Sequence, residues 1–129
     1  FRSTDGGLTW TTARIQPTSL VVRSLAASGT TLLAGTDDAG VFRSTDGGLT
    51  WTAATRQPRP LNIIIQSLTG SGSTFVAGTG GGVFRSTDDG LTWAKDTTQP
   101  TDDIIDAVTV SGTTLFAGTS YAGIWRSLM

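Results

Sequence analysis

The sequence predicts an all-β chain of repeated four-stranded antiparallel units, and three observations carry the prediction. A ten-residue phrase, FRSTDGGLTW, fills Phe1 to Trp10 and recurs unchanged at Phe42 to Trp51; FRSTDDGLTW follows at Phe84 to Trp93, and a fourth copy opens as WRS at Trp125 to Ser127. The spacings are 41, 42 and 41 residues, so the repeats run approximately 1–41, 42–83 and 84–124, with the start of a fourth at 125–129. Each repeat holds four short runs rich in Val, Ile, Leu, Phe, Thr and Trp, separated by Gly, Asp, Ser and Pro. No window keeps a 3.6-residue apolar period over the length of a helix. Four strands in about 40 residues is the pattern of one β-propeller blade, so the chain holds three blades in a single domain.

The elements follow in order along the central repeat. The first strand is predicted near Leu61 to Thr69, where LNIII opens an apolar run matched by SLVVRSLAAS before it and DDIIDAVTVSG after it. A Gln-Pro step precedes each copy, at Gln16-Pro17, Gln57-Pro58 and Gln99-Pro100, and marks the link between blades. The second strand falls near Thr74 to Thr79, in STFVAGT, with TTLLAGT and TTLFAGT as its counterparts. The third is near Val83 to Thr87 and the fourth near Leu91 to Asp96. The repeated phrase therefore joins third strand to fourth.

Its chemistry is that of a turn. A tight hairpin needs a residue that tolerates positive φ, and Gly7, Gly48 and Gly90 supply it. Asp5, Asp46 and Asp88 can accept bonds from the turn's own N–H groups, and Ser3, Ser44 and Ser86 can bond locally as well. Trp10, Trp51 and Trp93 then anchor the turn by burying a large ring beside the neighbouring sheet. The pattern Ser-x-Asp-x-Gly-x-Thr-Trp resembles the Asp-box, or BNR repeat, found in sialidases, sortilin-type receptors, some endoglucanases and photosystem II assembly-factor-like propellers. The resemblance extends along the whole chain, because the box spacing and the AGT…GV(F/I) context both match. It implies a structural box remote from any active site, and an extracellular or periplasmic setting. Three copies spaced around a disc cannot converge on one substrate, so neither a catalytic nor a metal-binding role is expected of these Asp residues.

Composition narrows the function classes. Charged residues make up 15% of the chain and the formal net charge is −1. Lys95 is the single lysine and the arginines are dispersed, whereas phosphate binding needs clustered cations, so no nucleic-acid partner is expected. With no Cys and no His there is no thiol nucleophile, no disulfide, no Cys metal site and no histidine, the commonest metal ligand. No cofactor or metal is expected. No apolar run approaches the ~20 residues of a membrane span. The run Gly78 to Gly82 looks like a phosphate loop, but no helix follows it. Asp37-Asp38 and Asp102-Asp103 lack the ligand spacing of a calcium loop.

Candidate binding residues come from where the repeats disagree. In an up-and-down blade, second-to-third turns and blade links share the face opposite the boxes. Those turns read TDDAG, TGGG and TSYAG, offering Asp37, Asp38 and Tyr121; the links carry Arg14, Arg56, Arg59, Asp102 and Asp103. One first-strand register differs in every copy, as Arg23, Gln66 and Asp106. Repeats that agree on scaffold and differ here suit a non-catalytic scaffold that binds protein or carbohydrate. A sialidase-like site needs a Tyr–Glu pair, and this chain has one Tyr and no Glu. One alternative is a fragment of a secreted glycoside hydrolase, sialidase-like or inverting endoglucanase-like. In an inverting site two carboxylates stand ~6.5–9.5 Å apart, drawn from Asp38, Asp103 and Asp106. Another alternative is a purely structural repeat fragment. Propellers close with about four to eight blades. The ring is therefore predicted to be completed by a second copy, giving six blades with the Leu8 to Thr12 segment supplying a fourth strand, or by the remainder of a longer chain.

Overall fold

The computed structural model describes residues 1–18, 21–60, 63–98 and 103–129. Among the described residues there are eleven strands and no helix. They are β1 (Val22–Ser28), β2 (Thr31–Thr36), β3 (Val41–Ser44), β4 (Thr52–Ala53), β5 (Ile65–Ser71), β6 (Thr74–Thr79), β7 (Gly82–Ser86), β8 (Ala94–Lys95), β9 (Ile105–Ser111), β10 (Thr114–Thr119) and β11 (Ile124–Leu128). They form two four-stranded sheets, β1-β2-β3-β4 and β5-β6-β7-β8, and a three-stranded sheet, β9-β10-β11. Every pairing within a sheet is antiparallel. Each sheet is a meander of consecutive strands, the arrangement of a propeller blade. Ahead of β1, a bridge between Arg2 and Thr11 holds the first FRST phrase as the outer half of a further blade.

Strand type agrees with the sequence, and the bounds differ at two places. The first strand of the central blade starts at Ile65, not near Leu61, which lies outside the described residues, as do Gln99-Pro100 and Asp102. The fourth strand shrinks to Ala94–Lys95 because the box turn occupies residues up to Trp93.

The blades stack through their first strands, β1 against β5 and β5 against β9. The glycine of each AGT run makes this approach possible. A Cβ on Gly35 would lie 2.4 Å from Ile65 Cγ2, and one on Gly78 would lie 2.7 Å from Ile105 Cγ2. Such distances are well inside van der Waals contact, so the next blade's first strand occupies the space of the missing side chain. Leu33, Ile65, Phe75, Phe84 and Trp93 form one buried cluster spanning the first junction, and Val76, Val83, Ile105 and Leu115 form a second spanning the next. The link between blades is held by Gln57, whose side-chain oxygen accepts the Val41 N–H and whose amide donates to the Val41 carbonyl, both at 2.8 Å. A glutamine side chain thus pairs with strand backbone at this link.

Candidate functional site

The three box turns share one hydrogen-bond pattern. Ser3 Oγ donates to Asp5 Oδ1 at 2.7 Å and accepts the Gly7 N–H at 2.8 Å. Asp5 accepts the Thr9 N–H at 2.9 Å and the Thr9 hydroxyl at 2.6 Å. Trp10 Nε1 donates to the Gly7 carbonyl at 3.0 Å. Ser44, Asp46, Gly48, Thr50 and Trp51 repeat each bond, and so do Ser86, Asp88, Gly90, Thr92 and Trp93. The three glycines have φ of 90°, 83° and 80°, the left-handed region that L side chains avoid. The Thr50 hydroxyl, then the Thr50 N–H and the Ser44 hydroxyl, hold the Asp46 carboxyl down at about 2; Thr9 and Ser3 do the same for Asp5. Burial pushes Asp88 the other way, but its Thr92 and Ser86 bonds prevail and its pKa also falls. These carboxylates are spent on their own turns. Among the described residues, no group of three or more potential metal ligands exists.

The tryptophans differ from expectation in degree. Trp93 is 3% exposed, packed with Leu33 and Ala54 of the preceding blade, whereas Trp10 is 60% exposed and Trp51 lies between. The ring packs backward onto the blade before it, so its burial requires that blade. A second device at the boxes gave no signal in the sequence. Arg2 Nε donates to the Gly47 carbonyl at 2.6 Å, and Arg43 Nε to the Asp89 carbonyl at 2.8 Å. The arginines of the first two FRST phrases therefore latch the box of the next blade.

At the opposite end of the sheets lie the second-to-third turns. Each is closed by its threonine hydroxyl, Thr36 to the Gly40 carbonyl, Thr79 to Gly82 and Thr119 to Gly123. Arg23, Gln66 and Asp106 share one structural position. The register slips between Val22 and Ser24, between Ile65 and Ser67, and between the partners of Ile105 and Ala107, so each of the three is the extra residue of a β-bulge. A bulge re-aims its side chain out of the ladder. Here it aims at the turn. Arg23 makes a two-pronged ion pair with Asp37, and Asp106 accepts the Ser120 hydroxyl at 2.7 Å. The pairing holds the Asp37 carboxyl below the usual range, through the Arg23 hydrogen bond first. Both partners lie fourteen residues downstream; at that spacing from Gln66 stands Gly80, which has no side chain. Asp103 accepts the Tyr121 N–H at 3.3 Å, so Asp103 and Asp106 address the same turn.

The structure thus groups Arg23 with Asp37, and Asp103, Asp106, Ser120 and Tyr121 with one another. Asp38 is an exposed neighbour of Asp37 in the first turn. Arg14 and Arg56 are not part of this face. The Arg14 N–H donates to the Leu49 carbonyl at 2.7 Å and the Arg56 N–H to the Leu91 carbonyl at 3.2 Å, which puts both beside the box turn of the following blade. The link hugs the next blade's outer strand before crossing, and that corrects their expected placement.

The blades and boxes together define an Asp-box β-propeller chain. The BNR/Asp-box repeat family matches at residues 1–12 and 42–53. The GH74 xyloglucanase from Xanthomonas campestris is similar in structure, with a TM-score of 0.64 and 20% identity over 79% of this chain. YCF48 from Cyanidioschyzon merolae has a TM-score of 0.62 and 21% identity over 83% of this chain, and a structure of YCF48 bound to D1 peptide has 0.56 and 19% over 77%. The chain spans 20% of the length of the xyloglucanase and 34% and 33% of the two YCF48 chains. None of the curated proteins matches the sequence. No helix among the described residues is long and apolar enough to cross a membrane.

Proposed function

We propose that the chain is part of a non-catalytic binding scaffold whose recognition face is the one opposite the boxes, built from the bulge residues Arg23, Gln66 and Asp106 and the turns they address. The observation that supports this most is the coincidence of two patterns. The first-strand position that differs in every repeat is also the position that a bulge turns out of the ladder. The ligand class is protein or carbohydrate, and the setting extracellular or periplasmic. YCF48, of the same fold, is seen with a bound peptide, which favours a peptide over a sugar. The remaining blades of the ring come from a second copy of the chain or from the remainder of a longer chain.

The test uses immobilised peptide and glycan arrays probed with the intact chain. Arg23→Ala, Gln66→Ala and Asp106→Ala combined should remove any signal the parent gives. Asp46→Ala should keep that signal while lowering the melting temperature. A signal untouched by the triple substitution would move the site elsewhere.

A second reading has one observation of its own. Asp103 and Asp106 share a turn, as the two carboxylates of a hydrolase share a cleft. Reducing-sugar release from xyloglucan, abolished in Asp103→Asn and Asp106→Asn, would favour it over the scaffold.

A further inference from the structure

The second-to-third turns of the three blades are equivalent by their main-chain bonds. The Asp37 N–H donates to the Val21 carbonyl at 3.3 Å, Gly80 to Ile64 at 3.4 Å and Ser120 to Ile104 at 3.0 Å. Each acceptor stands two residues before a bulge residue, so Asp37, Gly80 and Ser120 hold one position relative to Arg23, Gln66 and Asp106. In two blades that position carries a side chain, and the bulge residue is bonded to it. In the central blade it carries none. Among the described residues, Gln66 has no hydrogen-bond partner, although it is partly buried. The central blade is packed on both sides, β5 against β1 and against β9, so Gln66 stands between the two matched pairs.

The central turn leaves room beside that amide. TGGG is one residue shorter than TDDAG and TSYAG. It is closed on itself by Thr79, whose hydroxyl accepts the Gly81 N–H at 3.1 Å and donates to the Gly82 carbonyl at 2.7 Å. A Cβ on Gly80 would meet nothing within 4 Å, and Gly80 lies outside the left-handed region. The turn therefore does not itself require glycine there. The row of polar side chains, Arg23 with Asp37 on one side and Asp106 with Ser120 on the other, has a gap at the central blade with an amide in it. The chain shows elsewhere what a glutamine amide fits. Gln57 bonds both the N–H and the carbonyl of one strand residue, Val41, each at 2.8 Å. A primary amide offers an acceptor and donors together, the complement of a peptide main chain. Glycine beside it lets a second backbone come close.

We propose that Gln66 is the ligand-contacting bulge residue of this face, and that it takes the main chain of an extended peptide segment laid across the Gly80–Gly81 turn. This deepens the recognition face proposed above and rests on it. Arg23 and Asp106 are then positioning residues: each commits its side chain to its own turn and fixes one wall of the gap. The peptide must be extended, because the N–H and carbonyl groups of a helical segment are already bonded to one another. Main-chain bonds supply affinity without reading side chains, so Gln66 selects for an accessible extended segment more than for one residue type.

The test is a peptide array in which every peptide is printed twice, unmodified and with N-methyl groups on alternate amides. The parent chain should bind a set of the unmodified peptides and lose them on methylation, which removes main-chain donors and leaves the side chains in place. Gln66→Ala should weaken binding to those peptides about tenfold, the order expected for two hydrogen bonds. Gly80→Ser should weaken it as much without lowering the melting temperature, because the serine gives Gln66 the internal partner that Ser120 gives Asp106. Arg23→Ala, which loosens a wall and leaves the amide, should cost less than Gln66→Ala. Binding to no peptide, indifference to methylation, full binding in Gln66→Ala and Gly80→Ser, or a larger loss in Arg23→Ala than in Gln66→Ala would each overturn the proposal. Failure of the main-chain contact is distinguishable from failure of the face. Binding lost in the combined Arg23→Ala, Gln66→Ala and Asp106→Ala chain but kept in Gln66→Ala and in Gly80→Ser refutes the contact alone. Binding kept in the combined chain removes the face, and the contact with it.

Discussion

At the scale of single residues, the box is a self-contained unit whose charge is used locally. Asp46 and Asp5 sit at about 2 because hydroxyl and amide donors favour the ionised form, against an ordinary value of 3.8. A folded pKa below the unfolded one means the contribution is fully present above the unfolded value and is lost as pH falls through the folded value. The melting temperature should therefore drop between about pH 4 and pH 2. Asp46→Asn should flatten that drop, which thermal melts across the range would show; an unchanged acid limb would remove the carboxylate from the account. The third box adds its own test. Asp89 holds φ of 57°, where the other two copies have glycine. Asp89→Gly should raise stability by a few tenths to about 1 kcal/mol in urea titration, since it relieves a left-handed conformation without removing a backbone bond. The Asp89 N–H and carbonyl, bonded to Ser73 and Arg43, remain in place.

At the scale of elements, the tryptophans rank by the company they keep. Trp93→Ala should cost about 3–5 kcal/mol, as expected for a large ring removed from a closed core. Trp10→Ala in the single chain should fall within about 0.5 kcal/mol of the parent. Equal losses at the two positions would contradict backward packing. Much of this level was legible in the sequence: the 41-residue period, the strand order, the box and its glycines all follow from residue types whose turn chemistry is distinctive. The rest was not, for physical reasons. A bulge is one extra residue in a strand and leaves no compositional mark, so Arg23, Gln66 and Asp106 could be seen to vary but not to share a bulge. The latch arginines look like ordinary exposed strand residues until the next blade is beside them. The course of Arg14 and Arg56 depended on how the link crosses, which local sequence does not encode.

At the scale of the whole molecule, stability is a sum of blades and the junctions between them, as in other repeat proteins. The AGT glycines set how close those junctions come. Gly78→Ala should destabilise by about 1–3 kcal/mol through overpacking against Ile105. Amide exchange should rise more in β9 and β10 than in β1 and β2, because the strain falls on one junction; uniform acceleration would argue against separable blades. The backward lean of the box tryptophan also gives the array a direction in time. A chain leaves the ribosome from its first residue onward, and each new box reaches for a sheet that has already been made. The nascent protein can thus assemble as a staircase, every step resting on the one below, with no stage at which a finished ring of tryptophans must wait for strands still to be translated.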